Sequence, residues 1–103
     1  MPDAIVLGAG MVGSVMACDL AADADFNVTI ADVRPGALAA AQRRAARLGV
    51  TLSTLEADLG DVDVLRGAIE PFDIVLGALA SVIGFQTLRT VIESGKHFCD
   101  ICF

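Results

Sequence analysis

Apolar residues in this chain fall into five short runs, separated by segments in which apolar positions recur every three or four residues. The runs occupy residues 4–7, 27–31, 50–57, 73–78 and 97–102. Short apolar runs bounded by glycine or polar residues are typical of strands that are buried on both faces of a sheet. The pattern therefore predicts five strands, of which the third is the least apolar.

The segments between the runs predict helices at residues 11–24, 35–49, 61–69 and 81–95. Pro35 fits the first position of a helix, whereas Gly49 and Gly95 fit helix ends. Asp61 and Ser81 are suited to cap helix N-termini. In the first helix, the predicted buried stripe consists of Val12, Val15, Met16 and Leu20.

Strands and helices alternate with short connections, and this order predicts a parallel sheet with right-handed crossovers. We therefore expect an α/β fold in which a doubly wound, five-stranded sheet has the order 3-2-1-4-5 and helices on both faces. The chain has 103 residues, so we expect a single domain.

Charge and composition exclude several classes of partner. A net charge of −6 with only seven basic residues argues against nucleic acid. The apolar stretch at 74–85 is shorter than the roughly 18 residues of a membrane span, and the acidic start does not resemble a secretory signal. Three cysteines are too few for a disulfide scaffold. We expect a cytoplasmic protein, and homo-oligomerisation stays open.

The segment after the first run fits the motif G-x-G-x-x-G. Gly8 permits a tight turn, a side chain at Gly10 would block a pyrophosphate, and one at Gly13 would hold the helix away from the strand. The backbone amides at the helix start, including those of Met11 and Val12, then face the phosphates. The motif predicts a dinucleotide-binding domain of the Rossmann type.

An acid at the end of the second run supports this interpretation. Asp32 lies about 20 residues after the motif, at the spacing of an acid that hydrogen-bonds the adenosine ribose. Its carboxylate would repel the 2′-phosphate of NADP, so NAD is the expected cofactor. Arg34 leaves alternatives open, because it could cover the adenine, reach a 2′-phosphate or be a solvated loop residue.

Further candidate cofactor contacts follow the third and fourth strands, where the binding crevice of such a sheet lies. Asp58 and Leu59 could contact the adenine, although an aspartate with a role only in the turn is an equal alternative. Ala78 and Leu79 follow Gly77, and small residues there let the backbone approach the ribose and nicotinamide.

Neither a metal site nor a complete catalytic group is evident. Cys99 and Cys102 form C-x-x-C, but residues three apart in a strand point to opposite faces, which argues against a redox pair. A zinc site needs further ligands, and His97 is the single histidine. Asp100 could face the crevice without a neighbouring nucleophile or base.

Four segments together resemble the N-terminal domain of the saccharopine dehydrogenase-like family, nearest its lysine 6-dehydrogenase-like branch. They are IVLGAGMVG (5–13), DIVLGAL (73–79), VIESGK (91–96) and CDICF (99–103). The resemblance implies an oxidoreductase that transfers hydride between a nicotinamide cofactor and a C–N bond of an amino acid. It also implies that a second, α/β substrate domain follows, so we interpret the chain as a fragment that binds cofactor without turnover.

Two other classes of function remain as alternatives. A regulatory nucleotide-sensing module, like those attached to potassium transporters, uses the same glycine turn and ribose acid without catalysis. A Rossmann domain that has lost its cofactor and serves only in dimerisation would bind neither NAD nor NADP.

Overall fold

The computed structural model describes residues 3–23, 26–77 and 97–100. The elements, in chain order, are β1 (Asp3–Leu7), α1 (Met11–Ala21), β2 (Asn27–Asp32), α2 (Pro35–Leu48), β3 (Ser53–Glu56), α3 (Val62–Ile69), β4 (Ile74–Gly77) and β5 (His97–Asp100). Strands and helices alternate as the sequence predicted. The helix expected at 81–95, the candidate contacts Ala78 and Leu79, and Cys102 lie outside the described residues.

The sheet is parallel, and its strand order 3-2-1-4 is confirmed. β5 pairs in parallel with β4 on the side away from β1. β1 lies at the centre, with Leu7 opposite both Ala31 of β2 and Gly77 of β4. This register brings the carboxyl ends of three strands to one edge, so the residues that follow β1 lie beside the end of β2.

Both faces of β1 are buried, as its continuous apolar sequence predicted. Val6 packs in a cluster with α1 and α2 on one face, whereas Ile5 and Leu7 pack with α3 on the other. Helices thus cover both faces of the sheet, which is typical of a doubly wound fold. None of the helices in the described ranges has the length and hydropathy needed to cross a membrane.

The predicted buried face of α1 is confirmed only in part, because Leu20 packs against the core cluster that contains Val6 but Val15 does not. Val15 is 40% exposed and Met16 and Leu20 are half-buried, whereas Ser14, Ala17 and Cys18 are buried. The helix follows the glycine turn directly, and small side chains on its inner face let its backbone approach the sheet closely. It also ends at Ala21 and not at residue 24.

The predicted helix ends agree with the structure better than the predicted strand lengths do. Gly49 ends α2 in the left-handed region at φ 73°, and Asp61 caps α3 by accepting hydrogen bonds from the amides of Asp63 and Val64. β3 is shorter than the run at 50–57. The Val50 amide donates to the Ala45 carbonyl at 3.0 Å, so the first part of that run closes the end of α2 and does not pair in the sheet.

Candidate functional site

The turn after β1 needs a glycine at its first position. Gly8 has φ 103°, in the region that side chains strain, and its amide donates to the Ala31 carbonyl at 2.7 Å. The turn is therefore held against the end of β2 while it reverses toward α1. The expectation that Gly8 permits a tight turn is confirmed.

Gly10 differs from Gly8, because nothing in its own conformation requires glycine. Its φ of −69° and ψ of −173° are ordinary extended values. A Cβ built at this position would meet no atom of the described residues within 4 Å. With respect to the described part of the chain, the space above Gly10 is thus open, and a ligand could approach the backbone there.

Among the described residues, the N-terminus of α1 has neither a capping side chain nor an acidic residue in its first turn. Gly10 is its N-cap and offers no side-chain hydrogen bond, and the first turn contains no acidic residue. The first intrahelical bond runs from the Ser14 amide to the Gly10 carbonyl at 2.8 Å. The amides of Met11, Val12 and Gly13 therefore have no acceptor within the helix, and they carry the positive end of its dipole. Such a start can accept an anion.

Asp32 lies at the end of β2 with its side chain 7% exposed. Its Oδ2 accepts a hydrogen bond from the Ala9 amide at 2.7 Å, which ties the acid directly to the glycine turn. Its Oδ1 accepts from the Arg34 amide at 2.9 Å. The fold thus places the predicted ribose acid and the predicted phosphate turn in one hydrogen-bonded unit.

Arg34 makes a two-pronged ion pair with this carboxylate. Its Nε lies 3.1 Å from Oδ1 of Asp32, and its Nη2 lies 2.9 Å from Oδ2. Burial acts to raise the pKa of Asp32, but hydrogen bonds from the Arg34 side chain and from the Ala9 and Arg34 amides outweigh it and lower that pKa to about 2. Asp32 is therefore ionised at neutral pH. Arg34 is exposed, as a loop residue would be, but it is ion-paired.

The residues after β3 reach the same edge of the sheet. Asp32 is opposite Glu56, and the Ala57 amide donates to the Asp32 carbonyl at 3.0 Å. Asp58 accepts a hydrogen bond from the Gly60 amide at 3.0 Å, so its carboxylate shapes the turn. The side chain of Leu59 packs in the core on the α3 side of the sheet.

Sequence reasoning missed the contribution of Ala9, whose amide is the donor to Asp32. No local signal could have found it, because the bond spans 23 residues and depends on the register of β1 and β2. Within the described ranges, no three His, Cys, Asp or Glu side chains gather as ligands for a metal ion.

A family model described as the saccharopine dehydrogenase NADP binding domain matches residues 4–103. The chain belongs to this family. The family suggested by the four sequence segments is thus confirmed, and a nicotinamide dinucleotide is the class of cofactor that the family binds. The family's description names NADP, whereas the sequence favoured NAD.

Solved structures agree on the fold. Saccharopine dehydrogenase (L-Glu forming) from Saccharomyces cerevisiae is 22% identical with a TM-score of 0.76, and the match covers 97% of this chain and 21% of that protein. The UDP-Glc/GlcNAc 4-epimerase from Campylobacter jejuni is 17% identical with a TM-score of 0.76, covering 97% and 36%. An Agrobacterium tumefaciens 3-oxoacyl (acyl-carrier-protein) reductase with NADP bound is 30% identical with a TM-score of 0.62, covering 73% and 31%. The chain thus spans about a fifth of the yeast enzyme's length.

Proposed function

We propose that this domain binds NAD and serves an oxidoreductase that transfers hydride between the nicotinamide ring and a C–N bond of an amino acid. The family supports a nicotinamide cofactor and an oxidoreductase. The amino-acid substrate is inferred from the resemblance to the saccharopine dehydrogenase-like family and from the name of the yeast relative. Family membership favours this function over a nucleotide-sensing regulatory module.

The pyrophosphate of the cofactor would lie against the start of α1. The open space above Gly10 gives it access to the backbone, and the amides of Met11, Val12 and Gly13 offer donors that no helix carbonyl uses. Since Gly10 serves neither packing nor backbone strain within the described residues, a ligand is the simplest reason for a glycine at this position.

The observation that carries the proposal of NAD is the carboxylate of Asp32 at the glycine turn. It is ionised and bonded to the Ala9 amide, and these two features support the proposal that the adenosine ribose lies against it, next to the pyrophosphate. A ribose with free 2′- and 3′-hydroxyls can donate to this carboxylate. The 2′-phosphate of NADP would bring a second negative charge against it, which is unfavourable.

Hydride transfer itself is supplied by the nicotinamide when the cofactor is bound. The role of the described residues is to hold the dinucleotide: the turn and α1 bind the phosphates, and Asp32 orients the ribose. Asp58 and the loop around Leu59 reach the same edge and are proposed to border the adenine. We expect substrate contacts to come largely from other parts of a protein of this family, and residues 1–103 to bind cofactor without turnover.

Calorimetric titration of NAD and NADP into the protein and its Asp32→Asn variant tests the proposal. Hydrogen bonds to a charged group contribute about 1.5–3 kcal/mol, so the variant should bind NAD roughly tenfold or more weakly. NADP affinity should fall less or should rise. Asp19→Asn is the matched control, because Asp19 is exposed on α1 away from the turn. The assignment of Asp32 as the ribose acid of an NAD site would be refuted if the wild type bound NAD and NADP equally well and Asp32→Asn changed neither affinity.

A further inference from the structure

The carboxylate of Asp32 has no free acceptor capacity in this structure. Oδ1 accepts hydrogen bonds from the Arg34 amide and from Arg34 Nε, at 2.9 and 3.1 Å. Oδ2 accepts from the Ala9 amide and from Arg34 Nη2, at 2.7 and 2.9 Å. A carboxylate offers about four lone-pair positions. The protein's own donors therefore occupy all the acceptor positions that the hydroxyl groups of a ribose would need.

Two of these four donors belong to the backbone and two belong to a side chain. The Ala9 amide is held in the glycine turn, and the Arg34 amide is held at the N-cap of α2. The Arg34 side chain is 64% exposed, and it can leave the carboxylate without any change in the backbone. The guanidinium is thus the partner that can yield to the two ribose hydroxyls.

We propose that Arg34 is an internal competitor for the ribose-binding acid, and that it sets the balance between NAD and NADP. This inference rests on the proposed function, since it assumes that a dinucleotide binds at Asp32. NAD has to displace the guanidinium before its ribose can donate to the carboxylate. With NADP, the displaced guanidinium gains a new partner, because the 2′-phosphate offers charged acceptors next to the position that it leaves.

The two cofactors should therefore respond to Arg34 in opposite directions. An ion pair whose arginine is exposed is weak, so competition is expected to reduce the apparent NAD affinity by only about two- to fivefold. Loss of a charged partner for the 2′-phosphate should weaken NADP by about tenfold. Salt screens an exposed pair, so the effect on NAD should shrink as ionic strength rises.

The test uses Arg34→Met, which keeps the length of the side chain and removes both its charge and its donors. Arg43→Met on the exposed side of α2 is the matched control for the loss of one positive charge. Calorimetry with NAD and NADP, at low and at high salt, measures both affinities. We expect Arg34→Met to bind NAD two- to fivefold more tightly and NADP about tenfold more weakly, with Arg43→Met close to wild type.

A readout without cofactor comes from the Asp32 carboxyl group. An NMR titration that follows the carboxyl carbon of Asp32 measures the pKa of this group. We expect the pKa to rise from about 2 toward its ordinary value of 3.8 in Arg34→Met and to stay unchanged in Arg43→Met. The inference is overturned if Arg34→Met binds NAD no more tightly than wild type, if Arg43→Met gains as much, or if the Asp32 pKa does not move. Failure of every variant to bind either dinucleotide would refute the proposed function, and the competition with it.

Discussion

Replacing Gly10 by alanine should separate cofactor binding from folding. The added Cβ meets no atom of residues 3–23, 26–77 and 97–100 within 4 Å, and φ of −69° suits any residue, so neither a clash nor backbone strain is expected. Alanine is a poorer N-cap than glycine, which costs about 0.5–1 kcal/mol of unfolding free energy. The methyl group, however, occupies the space through which the pyrophosphate would reach the amides of α1. Forcing one extra methyl into a close contact costs about 1–3 kcal/mol, so we expect NAD affinity to fall about tenfold or more.

Gly8→Ala is the matched comparison, because the same chemical change falls at φ 103°. Backbone strain of this kind costs about 1–3 kcal/mol, and we expect it to lower the free energy of unfolding of Gly8→Ala. Urea unfolding followed by circular dichroism, together with calorimetry for NAD, gives both readouts for each variant. If Gly10→Ala binds NAD as well as wild type, or if it loses as much stability as Gly8→Ala, the assignment of Gly10 to the phosphate site is incorrect.

Two further tests concern the backbone and the charge of the fold. Gly49→Ala should destabilise the protein by about 1–2 kcal/mol, because φ is 73° at this position. Gly67→Ala within α3 should stabilise the protein by about 0.5–1 kcal/mol, because alanine is the better helix former. At both positions the added Cβ meets no described atom within 4 Å, and urea unfolding midpoints measure the difference. The lowered pKa of Asp32 should contribute about 1–2 kcal/mol of stability, present above pH 4 and lost as pH falls toward 2. Unfolding at pH 5 and pH 3 should show this loss in wild type and not in Asp32→Asn, and equal slopes would contradict it.

The fold could be predicted from the sequence where a single physical requirement dominates. A strand such as residues 4–7 has no polar position to expose, so it must be central and covered on both faces. Helix ends could be predicted equally well, since Pro35, Gly49 and Asp61 each suit a specific position at the start or end of a helix. These signals, the handedness of crossover connections and the strand order usual in doubly wound folds led to the predicted order 3-2-1-4-5, of which 3-2-1-4 is confirmed.

The orientation of α1 could not be predicted in the same way. Nearly every position of this helix is apolar or small, so the residues at 12, 15, 16 and 20 and those at 14, 17, 18 and 21 both fit a helical period. Size decides between the two faces, because Ala17 and Cys18 allow a closer approach to the sheet than Val15 and Met16 do. That choice depends on tertiary packing, which a periodic pattern does not contain.

The chemistry of Asp32 was predicted only in part, for a related reason. Its spacing from the glycine motif suggested a ribose acid, but its bond to the Ala9 amide exists because parallel pairing sets Leu7 opposite Ala31. The same carboxylate therefore holds the turn in place and is proposed to hold the ribose. A substitution that removes the whole carboxyl group would disturb both, and a loss of binding would then be ambiguous. Asparagine retains one oxygen that can accept from the Ala9 amide and removes the charge, but its NH2 group then faces the Arg34 amide, which donates to Oδ1 in the wild type. An effect of Asp32→Asn on cofactor affinity therefore reports on the ribose contact when the urea midpoint of the variant matches that of the wild type.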